Sequence, residues 1–445
     1  MATMFPHLAK EIVEKSKTDW NNGQKRAWDE ERHLAIAYEK GRAEDDYLRF
    51  IDKDLRPQIP TPSNNITKRV NDRVSLVYMV PPKRTLGKPE DEFDMTKYNM
   101  ITRMKDLALQ VSERKTNLLG LIGTKLTWMG KRDGFIDYSR IIDFEPFFGD
   151  DPMRPIAVMF PLASNDSVSD VTAQRWQYWD DMYWATYEDG KVIDQGDNEY
   201  GFVPIEWTYR ELPDGSFMDA DIDRDLVYAN REMNVLQLDG DANIRFRSFG
   251  EMFVSGLQDD QPLKRSQDII HSLPEGATIS TTSPEDTISS IKDWIRQIYS
   301  MVAQNHHLPV DFVEGAVVAS GAAVEARNKE LNDDRRSDVE RWRMAEYSIY
   351  EMERKIIKVE AGIDLPEEFS VDFQESIDTV LTVDEQMKKD DWDLKNGLTT
   401  RARILMRDDP DKFDSEEAAQ EYIDNNKKAN GLSGVLANAL NTPVA

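Results

Sequence analysis

The chain has 445 residues, of which 40% are apolar and 31% are charged, a composition typical of folded proteins and of about two to four domains. Its formal net charge of −27 repels phosphate, which excludes tight general DNA binding but not weak contact with DNA. With no cysteine, the chain has no disulfide and no thiolate metal site, and a reducing compartment is expected. We find no apolar run long enough for a signal peptide or a membrane span, and expect neither.

The first 118 residues are predicted to be helical, with breaks at prolines. Charged helices are expected from residue 5 to 55, and the three prolines of LRPQIPTPSNN at 55–65 mark a connection. The apolar spacing of Ile66, Val70, Val74 and Val77 predicts a helix capped by Asn64 or Asn65 and stopped by Pro81-Pro82. A second helix is expected over about 96–118.

The segment from Gly120 to about residue 212 predicts strands. TKLTWMG, FIDYSRIIDFEPFF, IAVMFPLA and FVPIEWTYREL have strand character, and the aromatic run RWQYWDDMYWATYEDGKVIDQGD contains a hairpin turn signal at Asp189-Gly190. We expect its tryptophans and tyrosines to be core residues.

A helix is then predicted over 219–249, followed by short strands and a returning helix. The strand-sized pieces are EMFVSG, SQDIIHSL and ATISTTS. Ser283 and Pro284 have the residue types of an N-cap and first helical position. The returning helix is expected to end near His306-His307.

The stretch VEGAVVASGAAVEARNKELNDDRRSDVERWR, at 313–343, leads from an apolar glycine loop into a charged helix. An apolar stripe follows at helical spacing, with the interruption NDDRRSD indicating exposure or a kink. Its members are Trp342, Ala345, Ile349, Met352, Ile356 and Val359. Beyond it we predict a strand in FSVDFQESI, a helix opened by Thr382 and Glu385 and ended by Gly397, two short helices and a loosely docked tail.

No catalytic, metal or cofactor site is predicted from this chain. GLIGTKLT at 120–127 lacks the glycine-lysine spacing of a phosphate-binding loop. His306 and His307 are adjacent and point in different directions on a helix, so a helix end is the better interpretation. Ser320-Gly321 lies in no nucleophile-elbow pattern, and the many carboxylates are expected to form solvated acidic faces.

The order of elements resembles the portal protein of tailed double-stranded-DNA bacteriophages. The similar stretches are ITKRVNDRVSLVYMVPPKR (66–84), ASGAAVEARNKEL (319–331) and VDFQESIDTVLTVDEQMKKDDWDLKNGLTTRARILMRDDPD (371–411). In portal proteins the first resembles the helix that enters the wing, the second the opening of the long helix after the tunnel loop, and the third the approach to the crown. The resemblance covers nearly the whole chain, although each motif is degenerate.

The resemblance implies an α+β fold, mainly α, with portal domains assembled into a ring. The implied divisions are a wing at 1–218, stem helices at 219–249 and 284–307, a clip at 250–283, a tunnel loop at 308–320, a long wing helix and strand at 321–377, and a crown at 378–445. A head-to-tail contact repeated around the ring would pair the charged helix faces of neighbouring copies.

Portal proteins form twelve-fold rings at one capsid vertex, and this implies the partners and the place of the protein. The partners would be other copies of the chain, the major capsid protein, the large terminase, head-completion, adaptor or tail proteins, and double-stranded DNA in the channel. No membrane and no cofactor are implied, and the location would be the virion, with the host cytoplasm during assembly.

A tunnel loop would explain why an apolar, glycine-containing segment precedes a charged helix. Glycines give it backbone freedom, and its small apolar residues would form a low-friction constriction. Its residues are Val313, Glu314, Gly315, Ala316, Val317, Val318, Ala319, Ser320 and Gly321. DNA-backbone contacts are expected from Arg327, Lys329, Arg335, Arg336, Lys264 and Arg265; pairing within the helix, as Glu325–Lys329 or Arg336–Glu340, and a solvated turn at Lys264-Arg265 are the alternatives.

Two other functions compete with a portal. One is a virion adaptor or scaffold-type structural protein without a DNA channel. The other is a metal-dependent nuclease, which would need carboxylates that converge from several elements.

Overall fold

The computed structural model describes residues 24–51, 53, 56, 60–62, 64–88, 95–130, 134–162, 175–188, 191–249, 251–255, 278–282, 288–308, 329–373, 383–408, 412–413 and 415–426. The fold is α+β. The chain divides into two compact units, the first formed by Met1–Gly315 with Glu330–Ser376 and the second by Ala316–Lys329 with Ile377–Ala445. The division into wing, stem, clip and crown stays a prediction. Across the described helices, none is both long and apolar enough to cross a membrane.

The first unit begins with three helices: α1 (Gln24–Glu39), α2 (Glu44–Leu48) and α3 (Ile66–Val74). Asn65 caps α3, because its side-chain oxygen accepts a hydrogen bond from the Lys68 amide at 2.9 Å. The prediction that Pro81-Pro82 stops this helix is wrong: it ends at Val74, and a 3₁₀ turn, Val77–Met79, follows. The Glu113 carboxylate accepts the Val77 and Tyr78 amides at 2.7 and 3.0 Å and so satisfies donors outside the helix.

Strand β1 (Lys83–Leu86) leads to helices α4 (Met95–Ile101) and α5 (Lys105–Leu119). A single helix was predicted over 96–118, but the structure interrupts it between Ile101 and Lys105. The Thr102 hydroxyl donates to the Tyr98 carbonyl at 2.9 Å at this break. Gly120, with φ of 78°, ends α5 and starts the sheet region.

Two antiparallel sheets follow in the segment where the sequence predicts strands. β2 (Leu121–Met129) lies between β3 (Phe135–Ile141) and β9 (Ile205–Tyr209). The second sheet has the order β4-β5-β6-β7-β8, with β4 Glu145–Phe148, β5 Pro155–Leu162, β6 Arg175–Trp179, β7 Tyr183–Glu188 and β8 Lys191–Asp197. Glu188 pairs with Lys191, which confirms the predicted two-residue hairpin.

Helix α6 (Arg224–Phe249), strands β10 (Glu251–Ser255) and β11 (Thr278–Thr282), and helix α7 (Ile288–Asn305) form a hairpin. The two strands pair antiparallel, from Glu251 with Thr282 to Ser255 with Thr278. The Trp294 indole donates to Glu232 at 2.8 Å, and the Asn305 amide donates to Asp225 at 3.4 Å, so the helices run antiparallel. Helix α6 begins five residues after the predicted start, because Asp223 caps it. The predicted strand SQDIIHSL and the Ser283 cap lie outside the described residues.

Helix α8 (Lys329–Ala361) packs across the largest core cluster of the first unit, and β12 (Phe369–Asp372) returns to pair with β1. Trp342, Ala345, Ile349 and Ile356 are buried, as the stripe predicts, and Met352 is partly buried. Val359 is exposed, so the stripe ends one turn earlier than predicted. The NDDRRSD interruption is helical throughout, which favours exposure over a kink for most of its residues.

The second unit contains helices α9 (Val383–Lys395), α10 (Arg401–Asp408) and α11 (416–426). Its core cluster is built on Ala402, Phe413 and Ala419. Gly397, with φ of 69°, ends α9 as predicted, and the Leu398 amide donates to the Asp393 carbonyl at 2.9 Å. Thr382 and the tail from residue 427 lie outside the described residues.

Candidate functional site

Three helices of the first unit meet at one junction, formed by the start of α6, the end of α7 and the start of α8. Asp223 is its central residue. One carboxylate oxygen accepts the Leu226 amide at 3.2 Å and caps α6, while the other lies 3.4 Å from both Arg210 and His306. One side chain therefore joins the end of β9, the first turn of α6 and the end of α7.

The adjacent histidines connect α7 to two different helices. His306 reaches Asp223 before α6, whereas the His307 ring contacts Asp334 on α8. Burial lowers the pKa of His306; the Asp223 charge opposes this effect and the Arg210 charge adds to it. The predicted helix end at His306-His307 is confirmed, and it places the residues that precede and follow the 309–328 segment at the same junction.

The junction borders an open cleft of about 730 Å³. Asp225, Asp334 and Asp338 line it together with Arg210, Arg335 and Arg341. Its lining carries both signs of charge, so it is neither a basic groove for phosphate nor a uniformly acidic site. Among the described residues, no group of three or more histidine, aspartate or glutamate side chains is arranged to hold a metal ion.

The two described arginines among the predicted DNA contacts differ in exposure. Arg335 is only 4% exposed, and its Nε donates to the Leu76 carbonyl at 3.1 Å, so its guanidinium is used inside the chain. Arg336 is 69% exposed and lies 3.2 Å from Asp333, one turn back, rather than pairing with Glu340 as the alternative interpretation required. Glu340 pairs with Arg343 instead. Arg336 thus pairs within its helix, as the alternative predicts in kind but with a different partner, and its role at DNA stays a prediction.

The other predicted site residues are not placed by the structure. The tunnel-loop residues Val313 to Gly321, and Arg327, Lys264 and Arg265, lie outside the described residues, and of Lys329 only the helical backbone is described. Their proposed roles stay predictions.

A buried network of charges anchors α8 in the first unit, and the sequence interpretation missed it. Lys105 lies 3.0 Å from both Glu346 and Glu353, and Arg84 binds Glu346 at 2.5 Å and Asp106 at 2.7 Å. Hydroxyl groups complete the network: Tyr98 and Tyr138 donate to Glu353 at 2.7 and 2.6 Å, and Tyr78 donates to Glu346 at 3.0 Å. Each carboxylate is thus paired with cations and hydrogen-bonded, as buried charges require. The one signal in the sequence was that Glu346 and Glu353 are four residues beyond Trp342 and Ile349 on the apolar face.

The pH dependence of stability is expected to report on Glu346. Burial alone would raise its pKa, but the Lys105 charge and the bonds and charge of Arg84 lower it to about 2, from 4.5. Because the folded pKa is lowered, this stabilisation is fully present above pH 4.5 and is lost as the pH falls toward 2. The gap in thermal midpoint between the native chain and Glu346→Gln should therefore narrow between pH 7 and pH 3. An unchanged gap would contradict the assignment.

Removing the cap of α6 is expected to loosen the junction. Asp223→Ala deletes the acceptor of the Leu226 amide and the partner of Arg210 and His306, and should cost about 1–2 kcal/mol. Hydrogen exchange of the first α6 turn should rise in the same variant. Asp223→Asn is the matched control, because it keeps a capping oxygen without the charge and should lose less. Equal exchange in native and Asp223→Ala chains would refute the capping role.

Comparisons with known proteins were made for the whole chain. No family model matches it, and no curated protein matches it. Sixty-five chains of solved structures match. One of them is from the neck of an empty GTA particle computed with C6 symmetry, with 10% sequence identity, a TM-score of 0.40, and coverage of 80% of this chain and 94% of that chain. A structural overlap of this size does not define the family of this chain.

Proposed function

We propose that the chain is the subunit of a portal ring of a tailed double-stranded-DNA phage. Twelve copies would form a channel at one capsid vertex, through which DNA is packaged and ejected. The ring would dock the large terminase during packaging and adaptor or tail proteins afterwards, and would contact the major capsid protein. In this role the chain is structural and catalyses no reaction.

The observation that carries the proposal is the antiparallel hairpin of α6 and α7 with a small sheet at its far end. Helix α6 has 26 residues, which corresponds to about 40 Å. Gly240 on α6 faces Ile291 on α7, where an added methyl group would lie 3.8 Å from the isoleucine, so the helices approach closely. The hairpin has the order of elements that the portal resemblance implies for two stem helices and a clip.

The junction supports the proposed place of the tunnel loop. His306, His307, Leu331, Asp334 and Arg335 line its cleft, and the His307–Asp334 contact joins the two sides. A segment that leaves and re-enters at one point can project as a loop without disturbing the helices that hold it. In a ring, that loop would face the channel, and the net charge of −27 would keep duplex DNA away from the walls.

The two competing functions predict different behaviour of the purified chain. An adaptor without a channel would give compact oligomers or complexes with a partner, and a nuclease would cleave plasmid DNA in Mg²⁺ or Mn²⁺. Light scattering coupled to size exclusion should instead find a species of about twelve subunits that leaves plasmid DNA intact. Plasmid cleavage by the purified chain in Mg²⁺ or Mn²⁺ would overturn the structural role.

A further inference from the structure

Among the described residues, strand β9 is paired along one edge only. Its one neighbour in the described sheet is β2. The Arg210 amide donates to the Gly120 carbonyl at 2.7 Å, and the Leu126 amide donates to the Pro204 carbonyl at 2.9 Å. Backbone groups of an antiparallel strand alternate in direction from residue to residue, so Thr208 and Glu206 also point to β2, whereas Trp207 and Tyr209 point away.

A cleft runs along this free edge. Its volume is about 840 Å³, and its walls include Arg154, Ile156, Asp181, Phe202 and Trp207. The Ile205 amide is used locally, by the Val203 carbonyl at 2.7 Å, but no strand within the described ranges reaches the outward amides and carbonyls of Trp207 and Tyr209. An unblocked edge of this kind is a template for an added strand.

Strand β8 is an edge strand whose exposed side chains complement the cleft beside β9. It is the last strand of the five-stranded sheet, with β7 as its neighbour, and it is exposed along nearly its whole length. Val192 and Ile193 are 45% and 50% exposed, which is unusual for a strand edge that must stay soluble. Lys191, Asp194 and Asp197 on β8 also offer charges opposite to those of Asp181 and Arg154 in the cleft.

We propose that β8 of one copy adds to the free edge of β9 of a second copy. The contact uses a different surface on each partner, so it is head-to-tail and can repeat from copy to copy. It rests on the proposed function in one respect: a ring is the closed assembly that the repeated contact would help to form. The exposed apolar residues of β8 would be covered in the cleft, and the outward backbone groups of β9 would gain partners.

The absence of cysteine from the chain allows a direct test by cross-linking. The full-length double variant Ile156→Cys with Ile193→Cys carries one thiol in the cleft and one on β8, and is treated with a short bismaleimide. Ile156 lies on β5 and Ile193 on β8, and β6 and β7 separate these strands by about 14 Å within one copy. A cross-link within one copy would in any case give no product larger than a monomer. The two single-cysteine variants are the matched controls and can form dimers at most.

We expect the double variant to form a ladder of trimers and larger products, at least tenfold more abundant than in either single variant. A second series adds Val192→Lys, which places a charge beside the thiol on β8, to the double variant. The lysine should reduce the ladder, whereas Leu212→Lys, at a site that is 77% exposed elsewhere, should not.

Products no larger than those of the single variants would overturn the β8–β9 contact. If end views of that same sample still show rings, the proposed function survives and another surface closes the ring. A ladder without closed rings would support the contact and count against the portal.

Discussion

Lys105→Met is expected to lower the free energy of unfolding of the first unit by about 3–5 kcal/mol. Lys105 is fully buried, and it bridges Glu346 and Glu353 at 3.0 Å. Methionine keeps much of the volume but leaves Glu353 with hydroxyl partners alone, and an uncompensated buried carboxylate is costly. The measurement is the urea midpoint of the intact chain, followed by circular dichroism.

Two further variants separate charge from packing. Lys358→Met removes a lysine of α8 that pairs with Asp364 at the surface, at 2.7 Å, and should cost about 0–1 kcal/mol. Combining Lys105→Met with Glu353→Gln should recover part of the loss, because the second change removes the unpaired charge. A loss for Lys105→Met no larger than for Lys358→Met would show that the network does not anchor α8.

Gly120→Ala is expected to cost about 2–4 kcal/mol, from backbone strain and overlap together. Gly120 has φ of 78°, and a methyl group there would lie 2.2 Å from the Asp221 carbonyl oxygen. Backbone cannot rotate aside as a side chain can, so the connection from α5 to β2 must move away from the segment that leads into α6. Thermal unfolding measures the loss.

Gly201→Ala is the matched control for Gly120→Ala. Its φ is 73°, but an added methyl group would meet nothing within 4 Å. It should therefore show the backbone cost alone, about 1 kcal/mol. Similar losses for the two variants would mean that the close approach of Asp221 does not matter.

Local patterns in the sequence predict most helices and strands, because each depends on neighbours in the chain. The strand-like composition of β2 to β9, the two-residue connection between Glu188 and Lys191, and the end of α9 at Gly397 all follow from residues a few positions apart. Helix ends were less predictable where a distant side chain decides them. Helix α3 ends at Val74 because Glu113, far along the chain, captures the amides that follow.

The buried charges could not be predicted for the same reason. Arg84, Lys105 and Glu353 have the residue types of a solvated surface, and their burial depends on partners more than 200 residues away. Arg335 lies within a run of charges, yet it turns inward to the Leu76 carbonyl. The apolar stripe of α8 identified the correct face, but not that two glutamates share it. Of the candidate site, the helix end at His306-His307 was predictable, whereas its aspartate partners on α8 and before α6 were not.

The central claim is that copies of this chain enclose a channel, and end views by cryo-electron microscopy test it most directly. The purified full-length chain should give closed rings of about twelve subunits with a central hole wide enough for a DNA duplex. The hairpins of α6 and α7 should lie around that hole. Closed compact oligomers without a hole would contradict the account and favour an adaptor.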